Sequence, residues 1–460
     1  MRDDDLREGT QGEFRGDFTR DTFYPLRHFA RVLMQQGRVQ LDADWNEQVS
    51  ILLHYLRSLA RDLGSEHWGP TTDIGFDITS GQNDFTISAG HYYVQGILCE
   101  NNEEKLTYTN QPDYPLNEAE KKLNEGKYLV YLDLWERHLT YIEDDLIREV
   151  ALAGPDTATR AKIVWQVKLA NKLGEMQPGP LKDDYKAFLD VIRDKIKPGS
   201  GKLRARARKQ KDTDEPCLTS PEARYRGAEN QLYRVEIHKG GVAWNGKKKD
   251  GGGNQDAAAT FKWSRDNGSV IFPIRQLAGT KVVVEHLGRD ERSSLRQWDW
   301  VEVVDDDRVL RGEVGQLAQV DEIDIGELTV TLKVSPGTNL PDYQENDARH
   351  PLLRRWDNKS DAIPVSEGNQ EKDWSDLKDG VQIQFQPGAT YRTGDNWLIP
   401  ARTVTGDVEW PGPVDNPTAI PPHGIVHYYA PLAIIYVDAN GNITANQTAD
   451  LRRKLKQLWS

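Results

Sequence analysis

The spacing of apolar residues changes at Gly64, and this change limits what the chain can fold into. Before Gly64, apolar side chains recur at alternating intervals of four and three residues, which is the a/d pattern of a helix with one apolar seam. The seam consists of Trp45, Val49, Leu52, Leu56, Leu59 and Leu63. After Gly64, short alternating runs between glycines predict strands and tight turns. We therefore expect one long amphipathic helix followed by β structure.

The seam admits two interpretations, and the sequence leaves both open. It covers fewer than three full heptads, which is short for a coiled coil. The helix could pack within its own chain, or it could self-associate at a symmetry axis. Asp44 or Asn46 is expected to cap its start, because short polar side chains accept the first free amides of a helix.

A chain of 460 residues exceeds what one hydrophobic core supports, so several units are expected. The predicted fold is mainly β with some α, built from an arm, the helix and two or more antiparallel modules of barrel or sandwich type. The predicted parts are an arm at 1–22, a helical segment at 23–68, a first β module at 69–170, a helix and charged linker at 171–228, and a β-rich region at 229–460 with a small barrel around 278–336.

Three local patterns give sharper predictions. Apolar residues at helical spacing predict a helix over 185–196. Asn440 and Gly441 predict a hairpin turn, because both tolerate the positive φ that a two-residue turn needs. The stretch 448–458 suggests a terminal helix.

Charge and cysteine content exclude some classes. A net charge of −13 disfavours a nucleic-acid binder, because phosphate contacts demand a basic face. Cys99 and Cys217 alone form no disulfide framework, so folding in a reducing cytoplasm is expected. The first residues lack the apolar core of a signal peptide, and no run of about 18 apolar residues predicts a transmembrane segment.

Glycines and acidic residues imitate two ligand loops. Gly241, Gly246 and Lys247 have the spacing of a phosphate-binding loop, but Lys248 stands where a magnesium-binding hydroxyl is needed. The turn at 438–442 has acidic and amide residues at calcium-loop spacing, yet no glutamate closes it. We expect flexible hairpins at both places, and no cofactor is predicted.

The pair His423 and His427 has the spacing of zinc proteases, with Gly424 in place of the catalytic glutamate. Flanking β-branched residues favour extended backbone, so these imidazoles are expected to fill a β core, and no metal site is predicted. A basic run at 202–211, which includes Arg204, Arg206 and Arg208, could bind an anionic surface, but a solvated loop or a contact to an acidic partner is the expected role.

Aromatic and acidic residues alternate at Trp298, Asp299, Trp300 and Glu302, with Trp397 and Trp410 elsewhere. Paired carboxylates beside indoles are what a glycosidase requires. Alternate aromatics in a β-rich protein more often fill a core while the interposed acids face water. The cluster thus supports a carbohydrate-active or carbohydrate-binding protein only as the alternative hypothesis.

Several segments resemble a bacterial family of uncharacterised function that is encoded among contractile injection system and phage-tail-like gene clusters. The N-terminal signature lies in 16–23 and 32–48 and leads into the helix. Further similar blocks follow in order at 149–157, 231–238, 261–268, 391–397 and 422–432. The layout of a helix followed by a glycine-bounded β module at 78–99 is also similar to the anchoring part of some tail fibre and baseplate proteins.

The resemblance implies a structural component of an injection particle, in or near the baseplate, spike or fibre attachment, and not an enzyme. Such a component would be made in the cytoplasm and built into a particle that is released or anchored to a membrane. It would contact baseplate, spike, sheath or fibre subunits and form a symmetric homo-oligomer. Delivery as cargo is a further alternative. The residues predicted for the contact zone are Arg20, Gln36, Arg38, Asp44, Trp45, Leu52, Leu56, Leu59 and Leu63.

Overall fold

The computed structural model of the chain is mainly β. It describes residues 14–152, 156–171, 178–197, 199–208, 224–244, 258–361 and 363–455. Strands account for 37% and helices for 15%, and the sheets are antiparallel. The predicted fold class of several antiparallel sheets with some helix is therefore confirmed.

The helices are α1 Asp42–Gly64, α2 Pro178–Asp183, α3 Tyr185–Ile196 and α4 Asp306–Arg311. The start of α1 differs from the prediction, because Leu41 is the N-cap residue. Asp44, in the first turn, accepts the Leu41 amide at 3.4 Å and so satisfies one free donor from inside the helix. The helix predicted over 185–196 is confirmed, and Asp184 caps it by accepting the Lys186 amide.

The strands follow in chain order. The first twelve are β1 His67–Trp68, β2 Ile78–Thr79, β3 Thr86–Ile87, β4 Gly90–Val94, β5 Ile97–Asn101, β6 Leu106–Thr107, β7 Gly126–Leu139, β8 Arg160–Asn171, β9 Leu203–Ala207, β10 Gln231–Lys239, β11 Gly241–Val242 and β12 Thr260–Ser264. The next six are β13 Ile271–Ala278, β14 Lys281–Val284, β15 Trp300–Val304, β16 Gln316–Asp324, β17 Thr329–Lys333 and β18 Leu352–Trp356. The last eight are β19 Ile363–Pro364, β20 Ser375–Asp376, β21 Val381–Phe385, β22 Thr390–Tyr391, β23 Asn396–Arg402, β24 Asp407–Val408, β25 Tyr428–Val437 and β26 Ile443–Asp450.

These strands form three bodies. The first combines the small sheets β1-β4-β5 and β2-β3-β6 with the long sheet β26-β25-β7-β8. The second combines the sheet β19-β12-β10-β23-β24 with β20-β21-β9 and β11-β22. The third is a closed six-stranded barrel in the order β13-β14-β17-β16-β15-β18. Its closure leaves no free sheet edge.

Each body has its own core. In the first, apolar side chains from the small sheets meet one face of the long sheet, including Tyr92, Leu132 and Leu432. On the opposite face of that sheet, Phe188 and Ile192 of α3 cover Tyr131. The second body is centred on aromatic residues, and the barrel interior is filled by aliphatic ones. Alternation along the strands explains this, since successive side chains point to opposite faces.

Two local predictions were wrong and one was confirmed. The stretch expected to be a charged linker contains β9, which pairs with β21 in register Ala205 to Ile383. The predicted terminal helix is absent from the described residues up to 455, where 448–450 belong to β26. The hairpin at Asn440 and Gly441 is confirmed, and it joins β25 to β26. In the part of the chain described here, no helix is long and apolar enough to cross a membrane.

Candidate interaction surface

Helix α1 carries its apolar seam on the outside of the protein. The seam residues Trp45, Val49, Leu52, Leu56, Leu59 and Leu63 are each between 40% and 64% exposed. Only Ala43 and Ile51 of this helix are buried. Fully burying one large aliphatic side chain contributes roughly 1.5–3 kcal/mol, so a helix in this orientation leaves several kcal/mol of hydrophobic stabilisation to a partner.

The opposite face of α1 is attached to the first body by a few specific contacts. Arg57 Nη2 lies 2.8 Å from Glu136 Oε1 of β7. The indole of Trp68 donates to the Ala60 carbonyl at 3.0 Å. Gly96, in the turn between β4 and β5, approaches so closely that an added Cβ would lie 2.1 Å from the Arg57 carbonyl oxygen. Arg57, Ala60 and the buried Ile51 thus lie on the inner side of the helix, and most of the apolar seam lies on the outer side.

A cavity of about 280 Å³ lies between α1 and the β7-β8 hairpin. Phe14, Phe18 and Phe23 line it from the N-terminal segment, and Val49 and Leu53 line it from the helix. Along this stretch the cavity and the phenylalanines of the N-terminal segment lie between α1 and the hairpin, so the helix does not pack flat against the body.

The segment before α1, residues 26–41, was predicted as part of the helical segment 23–68 and not of the arm 1–22, but it forms no α-helix. It is exposed, and we call residues 26–41 the arm from here on. It has one short 3-10 turn at Pro25–Arg27 and no strand, and almost all of its residues are exposed. Leu33 is 69% and Val39 is 82% exposed. The Val32 amide donates to the Gln48 side chain at 2.8 Å, which ties the middle of the arm to α1. Sequence analysis did not identify these apolar residues, because the arm has no periodic spacing.

The segment before the arm is fixed to the other two bodies. Arg15 forms a two-pronged pair with Glu236 of β10, with Nη2 to Oε1 at 3.0 Å. Asn267 donates to the carbonyls of Phe14 at 3.0 Å and Gly16 at 2.9 Å. Arg20 lies 3.0 Å from Glu409 Oε1. The chain is therefore pinned at both ends of the arm, here and at α1. Arg15 was not predicted, and no pattern around it distinguishes it from other arginines.

The structure brings only some of the predicted contact residues together. Trp45, Leu52, Leu56, Leu59 and Leu63 share the outer face of α1, and Asp44 lies in its first turn. Gln36 and Arg38 flank Gly37 at an exposed turn of the arm. Arg20 belongs to the pinned segment before the arm.

The tryptophan and carboxylate cluster is divided between surface and interior. Trp298 is 57% exposed and has a φ of 75°, whereas Trp300 is half-buried and Trp397 is fully buried. Burial raises the pKa of Asp299. Glu302, on β15 of the barrel, is buried and paired with Lys262 of the second body, so the two acids do not share one exposed surface.

Glu302 belongs to a buried ionic network. Its carboxylate accepts from Lys262 Nζ at 2.6 and 2.8 Å, from the Trp356 indole at 2.9 Å and from the Gly315 amide at 3.0 Å. Burial by itself would raise the pKa of Glu302, but the Lys262 ammonium outweighs it and lowers the pKa to about 2. Lys262 also reaches Glu236 at 3.2 Å. These charges join β10, β12 and β15.

The two histidines of the predicted pair contact different bodies. His427 Nδ1 lies 2.7 Å from Asp133 Oδ1 on β7, and Lys168 of β8 lies 2.7 Å from the other oxygen. Burial would raise the pKa of Asp133, but these two neighbours hold it at about 2. The backbone of His423 pairs with Asn396 instead. No group of three His, Cys, Asp or Glu within the described ranges could hold a metal ion.

The remaining motifs have structural roles or lie outside the described residues. Arg206 is buried on β9, where it donates to Gln382 at 2.9 Å and stacks on Trp374. Asp438 accepts the amides of Asn440 and Asn442, both at 2.8 Å, as a hairpin turn requires. Lys209 and Lys211 of the basic run, Gly246 and Lys247 of the phosphate-loop imitation, and residues 1–13 of the predicted N-terminal segment 1–22 lie outside the described residues.

Comparison with known families gives one match. A model described as a family of unknown function, DUF6519, matches residues 14–202 and 189–445. No curated protein and no solved structure matches the chain. The matched ranges include the arm, α1 and all three bodies. The chain therefore belongs to this family of unknown function.

Proposed function

We propose that the protein is an assembly subunit of a phage-tail-like contractile injection particle, in or around its baseplate, spike or fibre attachment. The observation that carries the proposal is the outward-facing apolar surface of the arm and α1. The injection-particle context comes from the resemblance of the N-terminal blocks to proteins of such gene clusters. An assembly subunit needs rigid bodies and contact surfaces, and no reacting centre.

The arm supports a docking role. An isolated protein gains nothing from exposing Leu33, Met34 and Val39 in one irregular segment, because apolar area is stabilising only when it leaves water. Both ends of the arm are fixed, by the pinned segment and by α1, so its position relative to the bodies is set before a partner arrives. This reduces the entropy lost on docking. We infer that the arm docks on a neighbouring particle subunit.

The buried network supports a structural role for the second body and the barrel. Glu302, the second acid that a glycosidase would need, is held by Lys262 and the Trp356 indole. A carboxylate in that state cannot act as an acid or a nucleophile without breaking the pair. This geometry disfavours the carbohydrate-active alternative.

One observation supports carbohydrate binding without catalysis, because the indole of Trp298 is exposed. Indole faces stack on sugar rings through their apolar surface. A glycan array with the wild-type chain and Trp298→Ala tests this alternative. Binding that the substitution abolishes would favour it, and no binding would exclude Trp298 as a sugar platform.

The assembly proposal is tested by expressing the tagged full chain together with all particle components. Pull-down with quantitative mass spectrometry should recover sheath, tube and baseplate proteins at fixed ratios. The arm variant Leu33→Glu with Val39→Glu should reduce that recovery at least tenfold. The control, Val404→Glu with Ile325→Glu, places the same two charges at residues that are 95% and 77% exposed outside the arm.

Two outcomes would contradict the proposal. Recovery of the chain alone, or at ratios that vary between preparations, would indicate cargo or an unrelated protein, because a symmetric component appears at a fixed multiple. Equal loss with the arm variant and the control variant would show that the arm has no special role.

A further inference from the structure

We infer that the outer face of α1 is covered by the same helix of other copies of this chain, packed in parallel around a shared symmetry axis. The inference rests on the proposed function and states which partner covers the helix. The arm is then left for a different particle subunit.

The heptad positions of α1 match the exposure of its side chains. Trp45, Leu52 and Leu59 occupy d positions, while the a positions are Val49, Leu56 and Leu63, and all of them are exposed. The buried Ile51 and the ion-paired Arg57 occupy c and b positions, while Ala60, whose carbonyl accepts from the Trp68 indole, occupies an e position. An a/d seam is the surface that packs against the same seam of another helix. In this protein the part of that seam from Leu52 to Leu63 is turned away from the body, whereas Trp45 and Val49 border the cavity beside the β7-β8 hairpin.

The positions that flank the seam are almost uncharged. The flanking e and g positions are Asn46, Leu53, Ala60, Gln48, Tyr55 and Asp62. Helices that select a different partner carry complementary charges at these positions, and like charges there prevent self-pairing. Only Asp62 is charged. In a parallel bundle its counterpart lies five residues further on, at position 67 and beyond the end of α1, so no like charges face each other.

The exposed apolar face of α1 is wider than the seam alone. Leu53 and Tyr55 flank the seam and are also exposed, at 38% and 53%. An apolar stripe that includes the flanking e and g positions is wider than a seam made of a and d positions alone. A partner therefore has to cover a broad apolar face, which several copies around one axis do.

The inner side of α1 is occupied by the rest of the chain. The charges on the inner side of α1 already have partners in the same chain, as with Glu47 and Thr22 at 2.6 Å and Arg57 and Glu136. The bodies lie on that inner side, so helices that meet by their outer faces keep the bodies apart. Parallel packing also places every arm at the same end of the bundle, where all arms can reach one neighbouring ring. An antiparallel pair would place the arms at opposite ends.

The inference is tested on the purified full chain, without other particle proteins. Light scattering should give a whole multiple of the single-chain mass, and Leu52→Glu with Leu59→Glu should reduce it to the single-chain mass. Circular dichroism should be unchanged in this variant, because the substituted side chains face solvent. A single-chain mass for the wild type at tens of micromolar would overturn the inference.

Cysteine cross-linking tests the parallel register. In a Cys217→Ser background, Leu59→Cys should form a disulfide with its own counterpart under mild oxidation, because equivalent d positions face each other in a parallel bundle. Asp62→Cys is the matched control, since this position is exposed but its counterparts are separated. Cys99 is buried, and burial raises the pKa of its thiol, so it does not compete. Equal cross-linking at both positions, or none at Leu59→Cys, would overturn the inference.

The two proposals can fail separately. A single-chain mass together with fixed-ratio recovery from particles would leave the assembly role intact and assign the helix to another subunit. A stable oligomer that recovers no particle proteins would leave the parallel bundle intact and contradict the assembly role.

Discussion

At the scale of single residues, buried charges join the second body to the barrel. Lys262 lies between Glu236 and Glu302, and Arg15 brings the N-terminal segment to the same place. Removing one member of a buried pair leaves the other without compensation, which costs far more than breaking a surface pair. These residues therefore report on whether the bodies keep their arrangement.

Glu302→Gln is expected to lower the free energy of unfolding by about 3 kcal/mol at neutral pH. The amide would turn a donor toward the Lys262 ammonium, where the carboxylate now accepts. Urea unfolding of both proteins measures the difference. Arg193→Ala, which removes a pair exposed on α3, is the control and should change the value by less than about 1 kcal/mol.

The stability difference between the wild type and Glu302→Gln should depend on pH. The folded pKa of Glu302, about 2, lies below its ordinary value of 4.5. A lowered pKa stabilises the fold above the unfolded value, so the contribution is complete above about pH 4.5 and disappears as the pH falls toward 2. The difference between wild type and Glu302→Gln should shrink in that window. A difference that stays constant down to pH 2 would contradict the assigned ion pair.

At the scale of elements, the formation of helix α1 and its orientation on the body have different causes. The helix forms because its apolar residues recur at helical spacing and Asp44 supports its first turn. Its orientation follows from the inner face, where Gly96 allows the backbone of the β4-β5 turn to approach Arg57. A residue larger than glycine at position 96 would push the helix away from the turn.

Gly96→Ala is expected to weaken the attachment of α1. Alanine at φ +79° is strained, and its Cβ would collide with the backbone carbonyl of Arg57, which cannot move aside without the helix. Gly388→Ala is the matched control, because its φ is +86° and nothing lies within 4 Å of the added Cβ. Hydrogen exchange of α1 amides should accelerate at least tenfold in Gly96→Ala only. Equal exchange in both variants would show that the turn does not position the helix.

At the scale of the whole molecule, the bodies depend on contacts between distant parts of the chain. β25, near the end of the described chain, pairs along β7 with Ala430 beside Leu132 and completes the long sheet. Arg15 and Arg20 fix the beginning of the chain to the second body. The described ends are thus anchored, while the arm and the outer face of α1 remain exposed.

Self-association through α1 should resist salt. The seam is apolar and its flanks are almost uncharged, whereas the net charge of −13 makes whole copies repel each other. Salt shortens the range of that repulsion from about 10 Å at ~0.1 M to about 3 Å at ~1 M. The mass measured by light scattering should therefore be equal or larger at ~1 M sodium chloride. Dissociation on adding salt would indicate that ion pairs, and not the seam, hold the copies together.

The sequence alone determined the features that depend on neighbouring residues. The periodicity of 185–196 predicts α3, and the turn preference of Asn440 and Gly441 predicts the last hairpin. Local rules failed at β9, because the charged residues that suggested a linker alternate with Leu203 and Ala205, which β21 and the second core bury.

Only the tertiary structure decided which side of each element is buried. The seam of α1 has the same spacing whether it faces a core or water, and its direction depends on Gly96 and Glu136, which lie in other elements. Glu302 likewise carries no mark of burial in its sequence neighbourhood, and only the fold places Lys262 beside it. Spacing is a property of consecutive residues, whereas burial and charge pairing depend on residues that only folding brings together.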